Sequence, residues 1–217
     1  MEELEKVVGI AIPALQVVVE MLREGIAKAE MLPFVDRSVD MPINWRPDHP
    51  YLVQRKWLFW PTRESAVTGI TIHHTMSHSP LATAQYCTRP QAQGGKGYPS
   101  VQYHFWVSQG DGCPIYLLAP VEWQLWHDCT GAYQTTISVG MAGSLHLQRP
   151  PDEQLEATAR LVAWLMRKYD VRAVAVRGHK ERYAGTVCPG WDDTGIARPS
   201  GLWRPAFYEA LNDAARG

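Results

Sequence analysis

Charge of one sign is missing from this chain. Its 217 residues carry 21 basic and 22 acidic side chains, a formal net charge of −1. That balance argues against nucleic-acid binding, which needs a basic field to neutralise phosphates. Cysteine is scarce. Four cysteines, irregularly spaced and without a C-x-x-C pair, are too few for a disulfide scaffold. A long apolar run is lacking as well: Pro13 and Glu20 interrupt the stretch from Val7 to Leu22, and a bilayer span needs about 18 uninterrupted apolar residues. Glu2, Glu3 and Glu5 stand where a signal peptide has a basic region, and no small-residue cleavage site follows cleanly. The sequence therefore predicts no membrane span, no secretion signal and synthesis in a reducing cytoplasm, where thiols stay free unless a metal holds them. Internal repeats and low-complexity tracts are also absent.

What is present suits one domain with an appendage. Hydrophobic residues make up 46% and charged residues 20%, enough apolar material for a real core. Nine tryptophans and nine tyrosines exceed what such a core needs and point to a groove that stacks on something flat or ring-shaped, such as a sugar.

The chain divides into a helical segment over residues 1–36, an extended Pro-rich strap over 37–64 and an α/β domain over 65–217. In the first, Leu4, Val8, Leu15, Val18, Val19, Leu22 and Ile26 recur at threes and fours. Its polar face is acidic rather than basic, so it reads as a helix packed on its own domain or on a second copy of the chain, not as a membrane-active one. From Val67 the punctuation becomes that of strands: 67–73, 101–107, 115–118, 136–141 and 171–176. Pro151-Asp-Glu-Gln opens a helix whose stripe is Leu155, Ala159, Val162, Leu165, Met166 and Tyr169. The last two strands and this helix form a β-α-β unit, and Pro205 stands where a closing helix would start.

Three histidines, His73, His104 and His179, fall in or just beyond these strands, where α/β folds assemble sites. Cys188 follows His179 by nine residues in a Gly/Pro-rich loop, where packing has little use for a thiol. Cys87, Cys113 and Cys129 read as buried small hydrophobes. An imidazole and a thiolate are both good zinc ligands and invite a third. Strand alternation puts His74 on the face of Ile70 and Ile72 and His73 on that of Gly69 and Thr71, so His73 is the ligand of choice. Three protein ligands leave a fourth position for water, the pattern of a catalytic zinc. His104 reads as a packed strand histidine, and a strand tyrosine such as Tyr103 is, by itself, a core aromatic.

Ile72-His-His-Thr75, Gln102-Tyr-His-Phe105, Arg177-Gly-His179 and Thr186-Val-Cys-Pro-Gly190 resemble, in order and spacing, the zinc-dependent N-acetylmuramoyl-L-alanine amidases, a family that includes phage endolysins and peptidoglycan recognition proteins. The resemblance covers about residues 65–195. It implies an α/β fold with a central mixed β-sheet flanked by helices, here with an N-terminal helical appendage. It implies one zinc ion per chain, held by His73, His179 and Cys188. The reaction implied is hydrolysis of the amide between N-acetylmuramic acid and the L-alanine of the stem peptide in bacterial peptidoglycan. Tyr103 matches the catalytic tyrosine. Thr186 is the second catalytic position that the resemblance implies. It stands where phage members often have lysine and catalytic recognition proteins have threonine, and its hydroxyl can donate a hydrogen bond to the oxyanion but supplies no positive charge. Trp126 and His127 match a groove-lining position and are expected to contact substrate. Gly97-Tyr98 stands where members that bind diaminopimelate-type stems often carry Gly-Trp. This implies that Gly97 and Tyr98 contact the substrate and that diaminopimelate-type stems are preferred, with tyrosine keeping the wall but not the full contact.

The expected protein is thus a phage-type endolysin acting on the cell wall, with self-association through the N-terminal helices as a further expectation. Three alternatives differ in one feature each. An amidase that recycles internalised fragments shares the chemistry. A peptidoglycan-binding module without catalysis usually replaces the cysteine. A cysteine hydrolase using Cys188 with His179 needs a free, activated thiolate.

Overall fold

The computed structural model describes residues 34–43, 66–128, 130–190, 207–209 and 211–212. The helical pattern read within residues 1–33, the strap over 44–64 and Cys129 lie outside them. Among the described residues the strands are Val35–Asp36 (β1), Gly69–His74 (β2), Phe105–Val107 (β3), Ile115–Leu117 (β4), Thr136–Met141 (β5) and Val176–Gly178 (β6). The α-helices with named bounds are Pro80–Thr88 (α1), Asp152–Tyr169 (α2) and His179–Arg182 (α3).

The strands form one mixed sheet in the order β1-β4-β3-β5-β2-β6. Only β3 and β4 run antiparallel, as a hairpin, and the other neighbours are parallel. The expected α/β fold with a central mixed sheet is what forms. Strands β5 and β6 flank β2 on either side, so the β5–α2–β6 unit is parallel with β2 inserted between its strands.

Alternation along the strands separates two faces. Ile70 and Ile72 of β2, Phe105 and Val107 of β3, and Ile137 and Val139 of β5 pack with Leu155, Ala159, Val162 and Leu165 of α2. Each large aliphatic side chain buried there contributes about 1.5–3 kcal/mol relative to exposure. Trp106, between Phe105 and Val107, joins a second cluster with Val101, Leu118 and Leu125. On β2 and β5 the alternate positions are polar or small: Thr71 pairs with Ser138, and His73 with Gly140. That polar face carries the candidate site.

Several elements depart from the sequence reading. Val35 and Asp36, at the end of the segment read as helical, form the edge strand β1 instead. Strand β3 occupies only the end of 101–107, because the His104 ring takes over ladder bonding: its Nδ1 accepts from the Ser138 amide at 3.0 Å and its Nε2 lies 2.9 Å from the Trp123 carbonyl. His104 is a packed, hydrogen-bonded histidine as expected. Strand β6 begins five residues later than expected. Ala173–Ala175 make a 3-10 turn, whose Ala175 carbonyl accepts from the Arg182 guanidinium at 3.1 Å. Helix α1 was not anticipated, since its apolar residues form no stripe. Ser79 caps it, accepting from the Ala82 amide at 3.2 Å, with Pro80 at the first turn.

Candidate metal centre and active-site cleft

His73 is the fifth residue of β2, pointing from its polar face. His179 opens α3 directly after β6, which hydrogen-bonds to the other edge of β2. Cys188 returns to both across the loop after α3, where its carbonyl accepts from the Lys180 amide at 2.7 Å. The candidate ligand atoms of His73, His179 and Cys188 all lie within 4.8 Å of one another, and Cys188 Sγ is 3.6 Å from His73 Nδ1. The His74 amide donates to the same sulfur at 3.2 Å.

Burial shapes the electrostatics. It holds His73 well below the ordinary histidine value, helped by the neighbouring His179 imidazole. His179 is lowered in the same way, with Asp128 opposing. Both rings are therefore neutral and can donate lone pairs at neutral pH. Burial pushes the Cys188 thiol up to about 12, partly offset by the His74 amide. Such a thiol is no free nucleophile near neutrality; it becomes a thiolate beside a cation. His179 Nε2 is buried without a hydrogen-bond partner. Two neutral imidazoles and one thiol converging around such an orphaned nitrogen fit a zinc-type divalent ion.

A cleft of about 670 Å³ opens over the trio. Its floor holds His73, His179, Cys188 and Tyr103, and one wall is built from Tyr86 and Cys87 of α1. The Tyr103 ring lies 5.5 Å from that of His73 between centroids, and its hydroxyl donates to the His74 carbonyl at a long 3.4 Å. Burial raises its pKa well above the ordinary phenol value, so it is a proton-bearing donor at neutral pH. Thr186 also lines the cleft, and its Oγ1 accepts from the Cys188 amide at 3.1 Å.

With this geometry in view, the sequence profile of the N-acetylmuramoyl-L-alanine amidases matches residues 63–191, more than half of the chain. The chain belongs to the N-acetylmuramoyl-L-alanine amidase family. No curated protein matches it. Among solved structures, it is similar to the Ph2119 endolysin from Thermus scotoductus MAT2119 bacteriophage Ph2119, with 21% identity, TM-score 0.52, and 70% of this chain and 96% of that one covered. It is similar to the N-acetylmuramoyl-L-alanine amidase LysC from Clostridium intestinale URNW, with 21% identity, TM-score 0.50, and coverages of 71% and 93%. A Drosophila PGRP-LB mutant in complex with tracheal cytotoxin gives 17% identity, TM-score 0.53, and coverages of 75% and 90%. At these identities the likeness concerns the fold.

Within this amidase fold, the residues singled out from sequence separate into two groups. His73, His179, Cys188, Tyr103, Thr186 and His127 all border the cleft. Trp126, Gly97 and Tyr98 are not among the described residues that do. The Trp126 carbonyl accepts from Gln102 Nε2 at 2.6 Å. Gly97, at φ +67°, and Tyr98 are tied by their amides to the carbonyls of Arg89 and Cys87 at the end of α1, each at 2.8 Å. His127 is buried, with Nδ1 3.2 Å from His73 Nε2. Cys87 and Cys113 are buried free thiols, as packing predicts, although Cys87 also borders the cleft. Sequence reading missed the α1 wall and Lys96 beside it; the Ser79-Pro80 helix start was the available signal. No described helix is long and apolar enough to cross a membrane.

Proposed function

We propose that this chain is a zinc-dependent peptidoglycan hydrolase that cleaves the amide between N-acetylmuramic acid and L-alanine, working as a phage-type endolysin on the bacterial wall. The observation that carries the reading is the convergence of the His73, His179 and Cys188 donor atoms within 4.8 Å at the floor of the cleft. Zinc bound there supplies Lewis-acid polarisation of the scissile carbonyl and acidification of a water. The protein's own groups do the rest. Tyr103, kept protonated by burial, offers its hydroxyl to the developing oxyanion. Thr186 receives the Cys188 amide on its oxygen and keeps its proton free to donate toward the same charge. The cleft walls hold the substrate amide against the floor and limit water.

The test is elemental analysis of purified protein together with release of free L-alanine amino termini from isolated walls. About one zinc per chain is expected, with release abolished by chelator and restored by zinc. Cys188→Ser should lose both metal and release. Equal release in chelator from a metal-free protein overturns the proposal. Wall binding without release moves the chain to the non-catalytic binders. Release from soluble muropeptides but not from intact walls assigns it to fragment recycling.

A further inference from the structure

We propose that His127 fixes the tautomer of His73 and thereby aims the His73 Nδ1 lone pair into the metal centre, through a directed hydrogen-bond chain ending on the Ala132 carbonyl. The inference rests on His73 being a ligand and gives His127 a positioning role rather than direct contact with substrate.

The direction of the chain follows from counting protons. The Thr136 hydroxyl has one, and it donates to the Ala132 carbonyl at 2.8 Å. Toward His127 Nε2, 3.2 Å away, Thr136 therefore acts as an acceptor, so that nitrogen carries hydrogen. The other lone pair of Thr136 faces the Thr71 hydroxyl, which donates at 3.4 Å. A neutral imidazole protonated on Nε2 presents a bare Nδ1. His127 Nδ1 is 3.2 Å from His73 Nε2, which must then supply the proton. His73 is left with an unprotonated Nδ1, the atom 3.6 Å from Cys188 Sγ. The reverse order would set a bare His127 Nε2 against a hydroxyl whose proton is already committed.

The surroundings hold this arrangement. His73 and His127 are 2% and 3% exposed, and their rings meet edge to face at 5.3 Å and 81°. One neighbour opposes it: the Asp128 Oδ2 carboxylate oxygen lies 3.5 Å from His127 Nδ1 and favours a proton there, but it makes no hydrogen bond, and Oδ1 is taken by the amide and hydroxyl of Thr130. Thr71 and Thr136 stand on adjacent parallel strands in the same sheet face as His73, so the chain is built into the register of β2 and β5. Groups that orient a ligating histidine through its second nitrogen typically change metal affinity 10–100-fold.

Zinc affinity, measured by chelator competition on the purified full chain, is the first readout. His127→Ala should weaken zinc binding about 10–100-fold. His127→Gln, whose amide can accept and donate, should recover part of that loss. Thr136→Val, which removes the acceptor without changing side-chain shape, should weaken binding by a smaller factor and serves if His127→Ala fails to fold. Wild-type affinity in folded variants overturns the inference. Long-range proton–nitrogen spectra of the histidine rings are the second readout. They should show Nε2–H on both His73 and His127, and an Nδ1–H on either overturns it. If the wild-type chain binds no zinc, the amidase proposal fails while the spectra still decide the tautomers.

Discussion

The Tyr103 ring rests against Gly140, where a Cβ would come within 3.0 Å of the ring's Cγ and 2.8 Å of Thr75 Cγ2. Gly140 pairs with His73 on one side and Trp106 on the other, so both backbones are fixed and cannot yield. The absence of a side chain at this point is what lets Tyr103 sit over the sheet beside His73. Gly140→Ala should cost about 1–3 kcal/mol of stability through overpacking and displace the phenol from the floor. Urea unfolding and wall-hydrolysis rates check both effects. Unchanged midpoint and rate would mean that Tyr103 is not held by this contact.

Thr186 separates two roles by substitution. Thr186→Ser keeps an oxygen for the Cys188 amide and a proton for donation, and should retain most activity. Thr186→Val loses both: the orphaned amide should lower stability by about 1 kcal/mol, and hydrolysis should fall further than that loss of fold explains. Because a neutral hydroxyl supplies no positive charge, its contribution should stay below the 10²–10³-fold typical of a strong oxyanion donor. The kcat values of the two variants, measured at equal zinc content, decide. If both match wild type, the hydroxyl serves neither purpose.

Acid should destabilise the metal-free protein through His74. Burial, then the nearby His146 and His179 rings, lower its pKa from 6.5 to about 4. The native state therefore stays neutral where the unfolded chain takes up a proton. The resulting stability is present above about pH 6.5 and is lost as pH falls toward 4. The shift corresponds to about 3 kcal/mol, and His73 and His179, lowered in the same direction, steepen the fall. Urea unfolding in chelator at pH 7.5 and pH 4 should show this loss, and His74→Gln should reduce the difference. An equal difference in that variant would exclude His74 as its source.

Much of the site was legible because its residues sit where strand grammar puts them. Alternation in Ile70-Thr-Ile-His-His74 puts His73 on the polar face of the sheet and His74 on the other, and the β5–α2–β6 pattern delivers His179 to the edge of β2. The rest depends on side chains replacing backbone partners, which no periodicity records. The His104 ring breaks the ladder that a 101–107 strand would have made. Arg182 accepts the role of capping the Ala175 carbonyl and shifts β6. The role of His127 depends on a hydroxyl on β5, nine residues away, whose proton direction is set by a third residue. Helix α1 announces itself only through Ser79-Pro80, so the wall it builds escaped an apolar-stripe reading.

That wall bears on stem-peptide preference. Gly97 and Tyr98 are tied back to α1 through their amides, and Lys96 borders the cleft, its ammonium 5.8 Å from the centre of the Tyr86 ring. If the cleft takes the stem peptide as proposed, Lys96 is a cation on its wall that the stem's charge can meet. Diaminopimelate carries one carboxylate more than lysine at the same position, so an ammonium on the wall favours the diaminopimelate-type stem. Lys96 is exposed, and an exposed ion pair contributes about 0.2–1 kcal/mol. The preference should therefore be modest, at most about 5-fold in kcat/KM. Lys96→Gln should erase it, mainly through KM, whereas Tyr98→Phe should leave it in place. Faster release from lysine-type peptidoglycan by the wild-type chain, or an undiminished preference in Lys96→Gln, would remove Lys96 from the recognition of the stem.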